Sequence, residues 1–271
     1  MHYQLVIEAR GRTSWFHTTE RMRATHRLLG RILGPRMLLF GFVDEHGHVV
    51  VDAEDRAAAG HLGSGLNRAF LAMGAPIEPT RVTDVEDARH LGNLIGYAVR
   101  QPAKHAIARD PAGWEGTCLA DLVGARLGCV DPGRIGEALP RIDVPATALA
   151  AVGLGNALSA ATDDDVRAVG AREVWAAAHA VFSAEEGRSG AASAARRAYV
   201  AVARGAGLDD GEVRAVAGVS KWAWYRLISA EGSADHAAAL RRQLGLRALI
   251  QAHAGREIPE HNPRPVRRWL R

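Results

Sequence analysis

The sequence predicts an α+β fold: an antiparallel sheet with helices on one face, followed by an all-helical C-terminal region. Three observations predict it. Residues 3–9 alternate in polarity, as one face of a strand requires. Residues 37–43 are a continuous apolar run of strand length, separated only by Asp44-Glu45 from a second run at 46–52, so the two pair as a hairpin. Residues 119–195 are rich in Ala and Gly and mostly helical by pattern, and the helical pattern continues beyond them.

The elements follow in order. After the first strand, Thr18 or Thr19 can cap a helix over 20–32, with Met22, His26, Leu28, Leu29 and Ile32 near helical spacing. Gly34-Pro35 stops it. The hairpin comes next. Residues 55–73 form a second helix with Leu62, Leu66, Phe70 and Met73 on one face, and 79–84 a short strand. A third helix over 85–100 ends at Pro102, because the residue before proline avoids the αR region. Strand-helix-strand-strand-helix-strand is the ferredoxin-like split βαβ arrangement, here with one helix added. Its helices on one face leave the other face of the sheet free for a substrate. Farther on, 166–182 reads as one amphipathic helix with Val169, Val174, Trp175, His179 and Phe182. His179 and His236 read as ordinary helix residues, not ligands.

Composition bounds the function. The chain has 271 residues, enough for one large or two modest domains, with 48% hydrophobic and 24% charged residues, as soluble globular proteins have. No apolar run approaches the ~18 residues of a membrane span. The first residues lack the basic-then-apolar pattern of a secretory signal. Cys118 and Cys129 are the only cysteines, without metal-type spacing, which predicts a reducing cytoplasm rather than a disulfide scaffold. The net charge of +4 permits nucleic acid as a partner. Lys104 and Lys221 are the only lysines, so nearly all positive charge is arginine, which suits bidentate phosphate contact.

Two short motifs carry chemistry. In Phe42-Val43-Asp44-Glu45-His46-Gly47-His48-Val49-Val50-Val51, strand period puts His46 and His48 on one face. In Gly96-Tyr97-Ala98-Val99-Arg100-Gln101-Pro102-Ala103-Lys104-His105, Tyr97 and Gln101 lie one helical turn apart. Either motif alone is ordinary: a lone His-x-His is common, and a tyrosine in an apolar helix is usually core. Together they are the parts of a metal-assisted tyrosine nuclease. Two imidazoles and an amide oxygen make a neutral three-donor set that leaves positions for phosphate and water.

With their flanks, these motifs resemble the single-tyrosine HUH transposases, that is, the insertion-sequence-200-like group and its REP-associated tyrosine transposase relatives. The resemblance covers residues 1–118. It begins at Tyr3-Gln4-Leu5-Val6 with Arg10-Gly11-Arg12, takes in Trp15-Phe16 and both motifs, and closes at Asp110-Pro111-Ala112-Gly113-Trp114. It departs from the family at Gly47, normally bulky and apolar, and at Val43-Asp44-Glu45, normally Met-Pro-Asn/Asp. The resemblance implies an HUH nuclease domain acting on single-stranded or hairpin DNA. Tyr97 would be the catalytic nucleophile, forming a 5′-phosphotyrosine and leaving a 3′-hydroxyl. His46, His48 and Gln101 would hold Mg²⁺ or Mn²⁺. Arg10, Arg12, Arg100, Lys104 and His105 would line the DNA groove. It also implies that a homodimer can donate the tyrosine helix in trans, and that the protein works in the cytoplasm, associated with the nucleoid.

A second unit lies at 196–255. Helices are expected over 196–206, 212–217 and 221–230, with Gly218-Val219-Ser220 as the turn between the last two. That turn resembles a helix-turn-helix: glycine takes the left-handed conformation and Ser220 caps the following helix. Arg214 stands where a small residue is usual. Trp224 takes the apolar position of the third helix, and Lys221, Trp222, Tyr225 and Arg226 are the candidate contacts to duplex DNA. The plain alternative is a three-helix bundle. Residues 256–271 form a basic tail with Arg264, Arg267, Arg268 and Arg271.

The leading expectation is a transposase-like, metal-dependent single-strand DNA endonuclease and strand transferase. Its competitor is a domesticated DNA-binding protein or regulator that keeps the fold and has lost catalysis, as Gly47 and the altered turn suggest. A zinc hydrolase using His46 and His48 is a third reading. The absence of a nearby glutamate base or a further strand histidine speaks against it.

Overall fold

The computed structural model describes residues 1–107, 110–155, 157–184, 189–230 and 232–254. The first unit runs β1 (His2–Glu8), α1 (Thr19–Leu33), β2 (Met37–Val43), β3 (His46–Asp52), α2 (Arg56–Ala72), β4 (Arg81–Val85) and α3 (Ala88–Lys104). The strands form one antiparallel sheet in the order β2-β3-β1-β4. Then follow α4 (Leu119–Leu122), α5 (Pro132–Ala138), α6 (Val144–Ala151), α7 (Asp163–Val181), α8 (Gly190–Gly205), α9 (Asp210–Ala217), α10 (Lys221–Ile228) and α11 (Ala234–Ala252).

Strand alternation builds the main core. Tyr3, Leu5 and Ile7 of β1 are buried, and β1 places Leu5 opposite Val49 and Ile7 opposite Gly47 of β3. Phe40 and Phe42 of β2 share that face. Phe42 packs on Phe16 at 4.8 Å and on Phe70 of α2 at 6.4 Å between ring centroids. Each such fully buried side chain contributes roughly 1.5–3 kcal/mol relative to exposure. Helix α1 is capped by Thr18, whose hydroxyl accepts from the Arg21 N–H, and ends at Gly34 with φ 53°. The far edge of the sheet is covered too: Phe42 N–H donates to Gly116 O at 2.7 Å, and Cys118 N–H to Phe40 O at 3.0 Å. Trp114 Nε1 donates to Phe42 O at 2.8 Å and fastens this segment to β2.

Helices α1 and α2 lie on the Phe42 face. Helix α3 lies on the opposite one, against β2, with α6 beside it. The expectation of helices on one face therefore fails for α3, and the second face stays partly exposed along β1 and β4 and at His46, His48 and Asp52 of β3. The expected stop at Pro102 fails as well, since α3 continues to Lys104 with Pro102 in its last turn. Proline has no N–H to give the carbonyl four residues back, here Ala98. That carbonyl sits over Gly41 of β2, where a Cβ would stand 2.5 Å from the oxygen. So close to the helix end the missing hydrogen bond is a single local loss, and glycine in β2 lets the helix backbone approach the sheet.

The expected single amphipathic face over 166–182 is also interrupted. Gly170 adopts φ 77°, ψ 170° inside α7, and Val169 before it is 43% exposed. A non-helical residue breaks the angular register, so Val169 leaves the face shared by the buried Val174 and Val181.

The stretch 119–195 has no core of its own. Leu119, Leu122, Ile135 and Leu149 join the sheet core, whereas Val166, Val174 and Val181 join a second core with Tyr199, Val202 and Leu240. Hydrogen bonds tie the two units together. His26 Nδ1 lies 2.9 Å from Ser183 Oγ, Arg27 Nη1 donates to Ser183 O at 2.6 Å, and Arg23 Nη1 donates to Ala184 O at 3.3 Å. Among the described residues no helix is long and apolar enough to cross a membrane. The tail arginines Arg264, Arg267, Arg268 and Arg271 lie outside the described residues.

Candidate active site

Strand and helix periods set this site. His46 and His48 project from the second face of β3, their rings edge to face with centroids 5.2 Å apart. Tyr97 and Gln101 are four residues apart on α3 and share one helical face, and His105, four residues further, caps the helix end. Asp87 starts that helix, its carboxylate accepting from the His90 N–H at 2.7 Å. The close approach at Gly41 brings α3 down so that the Tyr97 hydroxyl lies 3.0 Å from His48 Nε2. The His105 ring centroid is 4.9 Å from that of His46, and Lys104 Nζ stands 5.9 Å from the centre of the Tyr97 ring.

Burial sets the electrostatics. His48 is pushed down to about 3, first by burial and then by the charges of His46 and Lys104. His46 is lowered by burial and by His105. Both imidazoles are therefore neutral near pH 7, the form that can accept a cation. Burial raises the Tyr97 phenol, and a hydrogen bond from the Gln101 side chain opposes that rise.

Gln4 of β1 is a partner that sequence reasoning did not single out. Its side-chain amide lies 3.0 Å from His48 Nδ1. A neutral imidazole carries one proton, so Gln4 decides where it sits. When the Gln4 NH₂ donates to Nδ1, Nε2 holds the proton and donates to the Tyr97 oxygen, which favours the phenolate. When the amide is turned over, Nδ1 donates to the Gln4 oxygen and Nε2 accepts from the phenol. The available signal was the polar register: Gln4 lies on the outward face of β1, the face His48 shares across the pair.

The donor set suits a divalent cation. Gln101 is 1% exposed, and its buried Oε1 has no hydrogen-bond partner. A buried amide oxygen with no partner keeps its lone pairs open to a hydrogen-bond donor or a cation. Among the described residues no group of three or more His, Cys, Asp or Glu could hold a metal, so a cation here would need a donor of another kind, such as this amide.

The other expected contacts are scattered. Arg10 and Arg12 follow β1 at the His46 end of the sheet, both exposed, with Arg10 Nε 3.3 Å from a Glu78 oxygen. Lys104 and His105 are exposed at the end of α3. Arg100 is not brought to the cluster. Its Nε donates to Gly96 O at 3.1 Å, and it lies along α3 beside Ala151 of α6. In the C-terminal unit, Gly218 adopts φ 61°, ψ 31° after α9, and the Ser220 hydroxyl caps α10 by accepting from the Ala223 N–H. Trp224 is buried, while Lys221, Trp222, Tyr225 and Arg226 are exposed.

No family model and no curated protein matches the chain significantly. A solved structure of a REP-associated tyrosine transposase bound to a REP hairpin is similar over 43% of this chain and 75% of that one, at 14% identity and a TM-score of 0.34.

Proposed function

We propose that this chain is a transposase-like, metal-dependent DNA strand-cleaving and rejoining enzyme of the single-tyrosine HUH type, with Tyr97 as nucleophile. One observation carries the reading: the Tyr97 hydroxyl meets His48 Nε2 at 3.0 Å, with the His46 ring 5.2 Å from that of His48 and the Gln101 side chain bonded to the phenol. His46, His48 and Gln101 would hold Mg²⁺ or Mn²⁺, and imidazole donors lean toward the softer Mn²⁺. Such an ion would supply charge neutralisation at the scissile phosphate.

The chain's own residues supply the rest. Tyr97 attacks phosphorus; the P–O3′ bond breaks, the 3′-hydroxyl leaves, and the phenol proton is lost. The 5′-phosphotyrosine keeps the energy of the broken linkage, so a 3′-hydroxyl can reverse the step without ATP. His48 Nε2 can hold either the phenol or the ion, so Tyr97 would give up that hydrogen bond when the ion binds, while Gln4 keeps the ring oriented through Nδ1. Lys104 and His105 at the helix end, with Arg10 and Arg12 at the strand end, offer positive charge or donors to the flanking phosphates of single-stranded or hairpin DNA. The α9–Gly218–α10 segment acts as a helix-turn-helix that adds duplex contacts through Lys221 and Arg226, and a homodimer could share the tyrosine helices.

The decisive experiment incubates the protein with labelled single-stranded hairpin DNA and Mn²⁺, then looks for a denaturation-resistant protein–DNA adduct. A metal-dependent adduct at Tyr97 supports the enzyme. A protein that binds hairpins but never forms the adduct, across many hairpins and both metals, is the non-catalytic DNA-binding regulator instead.

A further inference from the structure

Helix α10 exposes an unusual set of side chains. Trp222 is 81% exposed and Tyr225 50%, and three-residue spacing puts them on one face. Lys221 precedes Trp222, and Arg226 follows Tyr225; both are exposed. Beside them, between α8 and α10, runs a groove of about 330 Å³ lined by Arg196, Arg197 and Arg226 and, among the described residues, by no acidic one. The buried Trp224 anchors the helix from its other side, so the outward rings are not needed to hold α10 in place.

A helix that reads paired bases in the major groove does so with side chains that hydrogen-bond base edges, such as Arg, Asn and Gln. Indole and phenol rings have planar faces instead, and these faces stack on bases only where a base is uncovered. In duplex DNA the stack is closed except at its ends. The arginines of the groove match a phosphate backbone, and the rings beside them match an open base.

We propose that the α10 face binds a junction between duplex and single-stranded DNA, with Trp222 and Tyr225 stacked on the first unpaired bases and Arg197 and Arg226 on the adjoining phosphates. This rests on the reading of α8–α10 as a DNA-binding unit and names its partner: hairpins with single-stranded flanks rather than continuous duplex.

The test uses the full chain carrying Tyr97→Phe, so that no covalent product forms. Binding is measured by fluorescence anisotropy to a hairpin with single-stranded tails on both sides, and to a continuous duplex of equal length. Adding Trp222→Ala should weaken the tailed hairpin about tenfold, as loss of one stacked base does, while the duplex changes less than twofold. Trp222→Phe should restore most of the loss. Arg226→Ala should weaken both DNAs and lower the salt slope by about one unit, whereas Trp222→Ala leaves the slope unchanged. Equal loss on both DNAs from Trp222→Ala overturns the junction and leaves the DNA-binding unit standing. Unchanged binding of both DNAs in Trp222→Ala and Arg226→Ala overturns the DNA-binding unit as well. A switch from dimer to monomer in Trp222→Ala, with DNA binding intact, assigns the face to a second copy of this chain and overturns the proposal.

Discussion

The ring of Phe42 stands where a side chain on Gly47 would be. A Cβ built on Gly47 would lie 2.7 Å from Phe42 Cγ and nearer still to the ring edge. These two residues are cross-strand neighbours in β2 and β3. The bulk missing from β3 between the two histidines is thus supplied from the next strand, and the layer behind His46 and His48 is filled.

Phe42 and Gly47 should therefore behave as a coupled pair. Gly47→Val alone overpacks the core and should cost about 1–3 kcal/mol. Adding Phe42→Leu should recover part of that cost, because the new methyls take the space the ring vacates. Urea unfolding of the two single variants and the double variant gives the coupling. Costs that simply add would mean the ring can move aside freely.

Gly41→Ala should act on the site from beneath. Its Cβ would strike the Ala98 carbonyl, and α3 has to lift from β2. Stability should fall by about 1–3 kcal/mol. Adduct formation should fall further than Gly47→Ala lowers it, because the lift separates Tyr97 from His48. Full activity in a destabilised Gly41→Ala protein would break that link.

Tyr97→Phe keeps the ring and loses the phenol's hydrogen bonds with His48 and Gln101, each worth about 1 kcal/mol. It should fold, keep binding hairpins, and form no adduct. His46→Ala should instead weaken Mn²⁺ binding in calorimetry while the phenol remains. An undiminished adduct in Tyr97→Phe would shift the nucleophile elsewhere, Tyr3 being a candidate by sequence, although its hydroxyl is turned to Met1 Sδ at 3.3 Å.

Acid should loosen the joint between the two units. His26 is buried, and burial, with Arg126, Arg23 and Arg27 nearby, holds it well below 6.5. The native state refuses a proton that the unfolded chain accepts, so this contribution is complete above about pH 6.5 and is lost as pH falls below it. The slope can reach about 1.4 kcal/mol per pH unit for one histidine. His26→Gln should be less stable at pH 7.5 and flatter between pH 6.5 and 5. Parallel pH profiles would exclude His26 as the cause.

Lys221→Ala with Arg226→Ala should weaken duplex binding and lower its salt slope by about one unit for each phosphate no longer neutralised. An unchanged slope would return α8–α10 to a plain helical bundle.

The sequence by itself determined the strands, because period two and the Asp44-Glu45 turn leave one pairing that keeps Leu5, Ile7, Val49 and Val51 together. It also determined the ends of α1 and the four-residue spacing of Tyr97 and Gln101, since caps and helical period act over a few residues. What only the tertiary structure decided is how distant surfaces meet. Pro102 reads as a stop until Gly41, far away in sequence, is seen to receive the Ala98 carbonyl. Gly47 reads as a loss until Phe42 is seen in its space. Gln4 reads as one more polar strand residue until the register sets its amide on His48. Arg100 reads as a groove residue until packing lays it along Gly96. Each depends on a contact across two elements, and local periodicity carries no information about which glycine or carbonyl will be opposite once the helix docks on the sheet.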